Sequence, residues 1–316
     1  MMKLLHNRLT GLVVLAVIIA VLPAFFANNY TYDIAIKAGF NAIVAVGLNL
    51  LVGYAGQISL GHAGFFAIGA YTSAVLTATY GWPPLLALLT GAVLNGAGAF
   101  LLARPILKLK GHYLAMATLG IGIIISIVIN NESWLTGGPD GMSLDTFAVP
   151  GFVFKGERMW YWLVGGMLLL AVWLSLNLID SPVGRALRAV HGSEVGAEVV
   201  GVDTSRYKVL VFTVSAVFAS VAGSLFAHYN AFVTPTLSTF FHSVELVTMV
   251  VLGGMASTFG AVVGAVVLTT LPQFLAAFED YEAIIIGLIL MGTMIFMPRG
   301  LVPTLASALK RVGGQR

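Results

Sequence analysis

Apolar runs of membrane length alternate with short polar breaks along nearly the whole chain. Ten can be marked, at 9–27, 34–52, 63–80, 84–103, 113–131, 159–180, 207–228, 243–257, 260–277 and 283–298. About 20 apolar residues in a helix cross a bilayer core of about 30 Å. The pattern therefore predicts an all-α polytopic membrane protein: a single transmembrane domain over 1–316 with about ten transmembrane helices. The run at 243–257 is too short to cross upright without help from its neighbours. Between runs, 132–158 contains TGGPDG and no evident domain of its own, 181–206 is the most structured polar stretch, and 299–316 is a short tail. Composition agrees, with 59% hydrophobic residues, 9% charged residues and a mean hydropathy of +0.96. A soluble domain is about a quarter charged.

Charge supplies an orientation, because Lys and Arg are retained in cytoplasmic loops. With the N-terminus inside and the spans alternating, Lys3, Arg8, Arg104, Lys108, Lys110, Arg185, Arg188, Arg206, Lys208, Arg299, Lys310, Arg311 and Arg316 are all cytoplasmic. Only Lys37, Lys155 and Arg158 fall outside. The reverse orientation inverts the ratio, so both N- and C-termini are placed in the cytosol, with 181–206 inside and 132–158 outside. Topology thus accounts for the net charge of +3 and the pI near 9.1 without a nucleic-acid partner. The opening MMKLLHNRLT has the charge layout of a signal peptide. However, Phe25 stands where cleavage after Ala27 would need a small residue, so the segment reads as a retained first span. The absence of cysteine excludes disulfides and thiolate metal sites.

The inner loop, with its flanks, reads DSPVGRALRAVHGSEVGAEVVGVDTSRYK. Asp180 or Ser181 can cap a helix whose first residue is Pro182, where the missing N–H costs nothing. Val183, Ala186, Leu187 and Val190 form one apolar stripe, with Arg185 and Arg188 on the opposite side. Ser193 can cap a second short helix carrying Glu194 and Glu198, Gly201 can stop it, and Asp203 or Thr204 can cap the next span. Such a loop either lies on the inner membrane surface, its arginines on anionic headgroups, or inserts into a groove of a cytoplasmic partner.

The stretch LVGYAGQISLGHAGFFAIGAY, 51–71, is uncharged yet carries five glycines, a glutamine, a serine and a histidine. Ser59, Ala63 and Ala67 are four apart, and Ala70 with Ala74 continues a small-residue stripe of the kind that packs helices in lipid. That reading leaves Gln57, Ser59 and His62 unexplained. The other reading is a helix broken around 53–62 beside a transport path, since non-helical backbone at membrane depth persists only where protein or a water-filled cavity satisfies it. Gly53, Gly56 and Gly61 would permit the break, and Gln57, Ser59 and His62 would line a polar route. A second glycine cluster, LGGMASTFGAVVGA at 252–265, contains Gly253, Gly254, Ser257 and Gly260 and weakly echoes the first.

These motifs resemble the permease subunits of the branched-chain amino acid ABC importer family over roughly 35–300. GRALRAV…E..AE..G….YK, continuing into FTVSAVFASVAGSLFA, is similar to that family's cytoplasmic coupling loop. NLLVGYAGQISLGHAGFFAIGAY, from Asn49 to Tyr71, resembles its permease signature, and the second glycine cluster resembles a family motif at a cytoplasmic turn. LKLKGHYLAMATLGIGI and LTGGPDGM resemble the M-type member of the permease pair. The resemblance implies a multi-pass protein of the bacterial cytoplasmic (inner) membrane that translocates branched-chain, hydrophobic amino acids delivered by an extracytoplasmic substrate-binding protein. It implies a second related permease as heterodimer partner and two cytoplasmic ATPase subunits that bind ATP and Mg, with no cofactor in this chain. It further implies ATPase-coupling contacts for Arg185, Arg188, Glu194, Ala197, Glu198 and Gly201, and alternating access past the break at 53–62. Two departures stand out: His191 and Gly192 replace a charged pair usual in relatives, and Ile123 replaces a frequent glutamate. The second leaves room for urea, short amides or another small organic solute.

Some functions are disfavoured by absence. Phosphate-binding ATPases need GxxxxGK[ST], and the dipeptide Gly-Lys does not occur, so ATP hydrolysis is expected in partner subunits and no enzyme is expected here. The six histidines show no metal-ligand spacing. A stand-alone secondary transporter or channel lacks the membrane-embedded acids that proton or sodium coupling would use. Lys37, four residues after Asp33, can pair with it on one helix face. Glu245 is either an intramembrane functional acid or an interfacial group. Asn41, Asn49 and Asn95 are expected as interhelical hydrogen-bond donors.

Overall fold

The computed structural model describes residues 2–26, 28–144, 147–149, 152–154, 156–275 and 282–313. Lys155, Arg316 and the ends of two expected spans at Ala27 and 276–277 lie outside the described residues. In chain order the helices are α1 (Met2–Val21), α2 (Asn29–Asn49), α3 (His62–Ala74), α4 (Pro84–Ile106), α5 (His112–Asn131), a single turn α6 (Ser133–Thr136) and α7 (Glu157–Asp180). They continue with α8 (Pro182–Gly192), α9 (Glu194–Val199), α10 (Thr204–Asn230), α11 (Phe240–Gly253), α12 (Thr258–Leu275), α13 (Glu282–Phe296) and α14 (Leu301–Gly313). Among the described residues, six helices are long and apolar enough to cross a membrane: α2 with an extension to Tyr54, α4, α5, α7, α10 and α12. The chain is an all-α polytopic membrane protein.

Helices α2, α3 and α10 form the centre. α4 flanks α10, α7 and α12 flank α2, and α11 packs on α12. Lipid offers no hydrophobic drive between helices, so close backbone approach supplies much of the cohesion. The α3–α10 pair shows it most: Gly223 rests on the Phe66 backbone and Gly69 on that of Ser220, so a side chain at either would overlap main-chain atoms. Phe40, Phe65, Phe66 and Phe212 fill the space around this seam.

The two ends of the bundle differ. At one end lie the short strands β1 (Met142–Ser143), β2 (Ala148–Val149), β3 (Phe152–Val153) and β4 (Phe232–Val233), with β1 antiparallel to β4 and β2 to β3. There Asp33 accepts from Lys37 Nζ at 2.7 Å and from the Tyr229 hydroxyl at 2.8 Å. At the other end, the α4–α5 turn, helices α8 and α9, and the α11–α12 turn surround the end of α2.

Several sequence expectations shift. The eighth run becomes α11, which stops at Gly253 because Gly254 takes a φ of 121°. Its 14 residues span about 21 Å, less than a bilayer core. A 3-10 turn at Pro235–Ser238, packed on α3 and α5, supports it from the side of β4. Ser59 shares no helix face with Ala63 and Ala67, because α3 begins at His62. Asn41 donates to Thr269 Oγ1 at 2.9 Å and Asn95 to the Phe65 carbonyl at 2.6 Å, but Asn49 accepts, its Oδ1 taking the Ala256 N–H at 3.0 Å. The tail contains α14, an amphipathic helix.

Candidate functional site

α2 ends in a π-helical turn, Leu50–Tyr54, and the chain is non-helical from Gly56 to Gly61. The break is thus narrower than 53–62, with Gly53 still in the π-helical turn and His62 the first residue of α3. Gly56 takes a φ of +68°, which costs an L side chain roughly 1–2 kcal/mol. Its bare face meets His191 of α8, whose Nδ1 would lie 2.9 Å from a Cβ built there. Gly61 presses on the Thr118 carbonyl of α5.

Protein groups satisfy the interrupted backbone. The Gln57 N–H donates to the Leu51 carbonyl at 3.0 Å, the Leu60 N–H to Thr118 Oγ1 at 3.1 Å and the Ala63 N–H to Ser243 Oγ of α11 at 3.1 Å. Ser59 Oγ lies 2.9 Å from His62 Nδ1, and His62 Nε2 lies 2.7 Å from Ser215 Oγ on α10. His62 is 0% exposed, so this hydroxyl–imidazole–hydroxyl chain is a sealed joint between the break and α10. Gln57 and Ser59 are buried as well. In this conformation the polar groups of the break fasten helices together.

The 181–206 loop rests against the break, with His191 on Gly56 and Glu194 on Gln57. Ser181 Oγ accepts from the Val183 N–H, Ser193 Oγ from the Gly196 N–H and Asp203 Oδ1 from the Arg206 N–H, which caps α8, α9 and α10 respectively. Gly201 turns the chain with a φ of +83°. Ala186, Leu187 and Val190 are buried, while Arg185 and Arg188 are exposed. Ala197 is buried, and Glu198 accepts from Thr204 Oγ1 at 2.8 Å.

Glu194 ties the loop to the break. Its Oε1 accepts from Gln57 Nε2 at 3.2 Å and from Lys208 Nζ at 3.0 Å, and Lys110 approaches Oε2 at 3.6 Å. Lys208, only 4% exposed, also donates to the Leu107 carbonyl of the α4–α5 turn at 3.0 Å. Burial pushes the Glu194 carboxyl up, but the Lys208 hydrogen bond and charge, aided by Gln57 and Lys110, outweigh it and hold the group below the usual carboxylate range. One carboxylate therefore joins α9, the break, the start of α10 and the α4–α5 turn.

The second glycine cluster forms the α11–α12 turn. Gly253 packs on the Gly260 carbonyl, Ser257 Oγ accepts from the Gly260 N–H at 3.0 Å, and Gly254 meets Pro303 of α14. The turn reaches α2 through Asn49 and the space above Gly53, so the two glycine clusters touch. Ile123 is 45% exposed on α5 and Glu245 is exposed on α11. The sequence pattern assigns no part in the site to Lys208, Ser215, Ser243 or Thr118. Lys208 alone carried a signal, as a charge at the start of an apolar span. Among the described residues no group of metal-ligating side chains occurs.

Residues 30–294 match the family described as branched-chain amino acid transport system / permease component. The chain is 35% identical to the high-affinity branched-chain amino acid transport system permease protein LivM of Salmonella typhimurium, over 94% of this chain and 76% of that protein. It is 23% identical to the permease protein LivH of the similarly named system in Escherichia coli K12, over 75% of this chain and 82% of LivH. The autoinducer 2 import system permease protein LsrC of Salmonella paratyphi B is 28% identical, over 70% of this chain and 64% of LsrC. No solved structure matches the chain.

Proposed function

The chain belongs to the branched-chain amino acid transport permease family, and from that premise we propose that it is the M-type permease of an ATP-driven importer of branched-chain amino acids. It works in the bacterial cytoplasmic membrane with about ten spans and both termini in the cytosol. A second permease of LivH type, two cytoplasmic ATPases holding ATP and Mg, and an extracytoplasmic binding protein complete the assembly. No cofactor is required in this chain. The identity with LivM over 94% of the chain favours this substrate class over urea or amides.

The observation that carries the mechanism is the Glu194 joint. Val195, Val199 and Val200 are 64%, 82% and 75% exposed on α9 and the turn after it, an apolar face suited to a groove on an ATPase. ATPase closure displaces α8 and α9. Because Glu194 and Lys208 bind the loop to Gln57 and the α4–α5 turn, the displacement reaches the break at 56–61. There the His62–Ser215 contact parts and the path opens beside α10. Binding specificity resides mainly in the binding protein.

The test is uptake of radiolabelled leucine by cells that lack their own importers and carry this chain with its neighbouring transport genes. The intact system takes up leucine in an ATP-dependent manner. Val199→Glu, on the exposed face, reduces uptake by about tenfold or more while the protein remains in the membrane. Leucine ignored by an assembled complex sinks the substrate assignment, and uptake that is indifferent to Val199→Glu sinks the docking role.

A further inference from the structure

A cavity of about 280 Å³ lies between the loop and the break. Lys110, Leu114, Val190, His191, Glu194 and Val195 line it. Sites for drug-sized ligands run to about 300–1,000 Å³, so this volume suits a small metabolite. Two lysines converge on one carboxylate here. Lys208 is the closer partner at 3.0 Å and buried, whereas Lys110 is 3.6 Å away and its side chain is 66% exposed. The cationic excess therefore sits on Lys110, at the cavity wall, where a ligand carboxylate would complete a charge-assisted pair. Ile58, exposed in the break, and Val195 supply an apolar surface beside it, backed by the buried Leu114 and Val190.

We infer that this cavity binds a small branched aliphatic carboxylate, an α-amino acid of the class the importer delivers, and that its occupancy holds the loop against the break. The inference rests on the importer reading above. The carboxylate pairs with Lys110, the branched side chain contacts Ile58 and Val195, and the ammonium meets Glu194 Oε2 as Lys110 turns to the ligand. Accumulated cytoplasmic product then slows its own import by resisting the movement of α8 and α9.

The complete transporter is reconstituted in vesicles with its ATPases outward and leucine-loaded binding protein sealed inside, and ATP hydrolysis is followed as ligand is added outside. Leucine and 4-methylpentanoate, which lacks the ammonium, slow hydrolysis; 3-methylbutylamine, which lacks the carboxylate, does not. Lys110→Met raises the half-inhibitory leucine concentration about tenfold, measured against its own uninhibited rate. Equal inhibition of the intact and variant complexes overturns the inference, as does the absence of any inhibition. A complex whose hydrolysis ignores the loaded binding protein fails as a leucine importer instead. In that case, binding of radiolabelled 4-methylpentanoate to the solubilised complex, compared with Lys110→Met, still decides the cavity.

Discussion

Glu194 has three neighbours from three parts of the chain, and its chemistry explains why they stay together. Lys208 is almost wholly buried, with Glu194 and the Leu107 carbonyl as its polar partners. Removing one partner of a buried pair costs far more than the pair's net worth, because an uncompensated charge remains. Glu194→Gln is therefore expected to destabilise the chain by on the order of 2–3 kcal/mol and lower its thermal unfolding midpoint. The pH dependence has a definite sign. The folded carboxyl titrates below its ordinary value of 4.5, so its stabilisation is fully present above that value and disappears as pH falls through the lower, folded pKa. The gap between the intact and Glu194→Gln midpoints should stay constant from about pH 8 to about pH 5 and close in more acidic solution. A gap that widens on acidification would contradict the assignment.

At the scale of elements, two helices owe their positions to residues without side chains. The α3–α10 seam brings backbones into contact at Gly223 and Gly69, whereas Gly98 on α4 has nothing within 4 Å of a built Cβ. Gly223→Leu must therefore force α3 and α10 apart, and overpacking of this kind costs about 1–3 kcal/mol or more. Gly98→Ala meets open space and gains helix propensity of up to about 1 kcal/mol. Thermal unfolding of the purified variants should show a lower midpoint for Gly223→Leu and an unchanged or higher one for Gly98→Ala. The α3 seam was half legible. The run of small residues announced close packing, but the alanine spacing pointed to a stripe including Ser59, which belongs to the break instead. Spacing along one chain does not reveal which glycine meets which backbone.

For the whole molecule, the absence of cysteine makes topology directly measurable. Single cysteines at Gly192 and Glu132, both exposed, sit in the two segments that the charge pattern assigns to opposite sides. In intact cells an impermeant thiol reagent should modify Glu132→Cys and spare Gly192→Cys, and permeabilisation should expose the latter. Labelling of Gly192→Cys from outside would reverse the proposed orientation and remove the loop from reach of any ATPase.

The sequence by itself determined the membrane class, the order of apolar runs, the Ser193 cap of α9, the caps of α8 and α10 to within two neighbouring residues, and the family. These are local properties: hydropathy, charge and cap chemistry act within a few residues, so they survive without knowledge of the fold. Only the tertiary structure decided what the polar residues of the break do. Gln57 finds Glu194 across 137 positions and His62 finds Ser215 across 153, so both pairings depend on how helices pack. The width of the break followed from the same packing, because Thr118, Ser243 and the Gly253–Gly260 turn provide the partners that allow the backbone to leave the helix where it does.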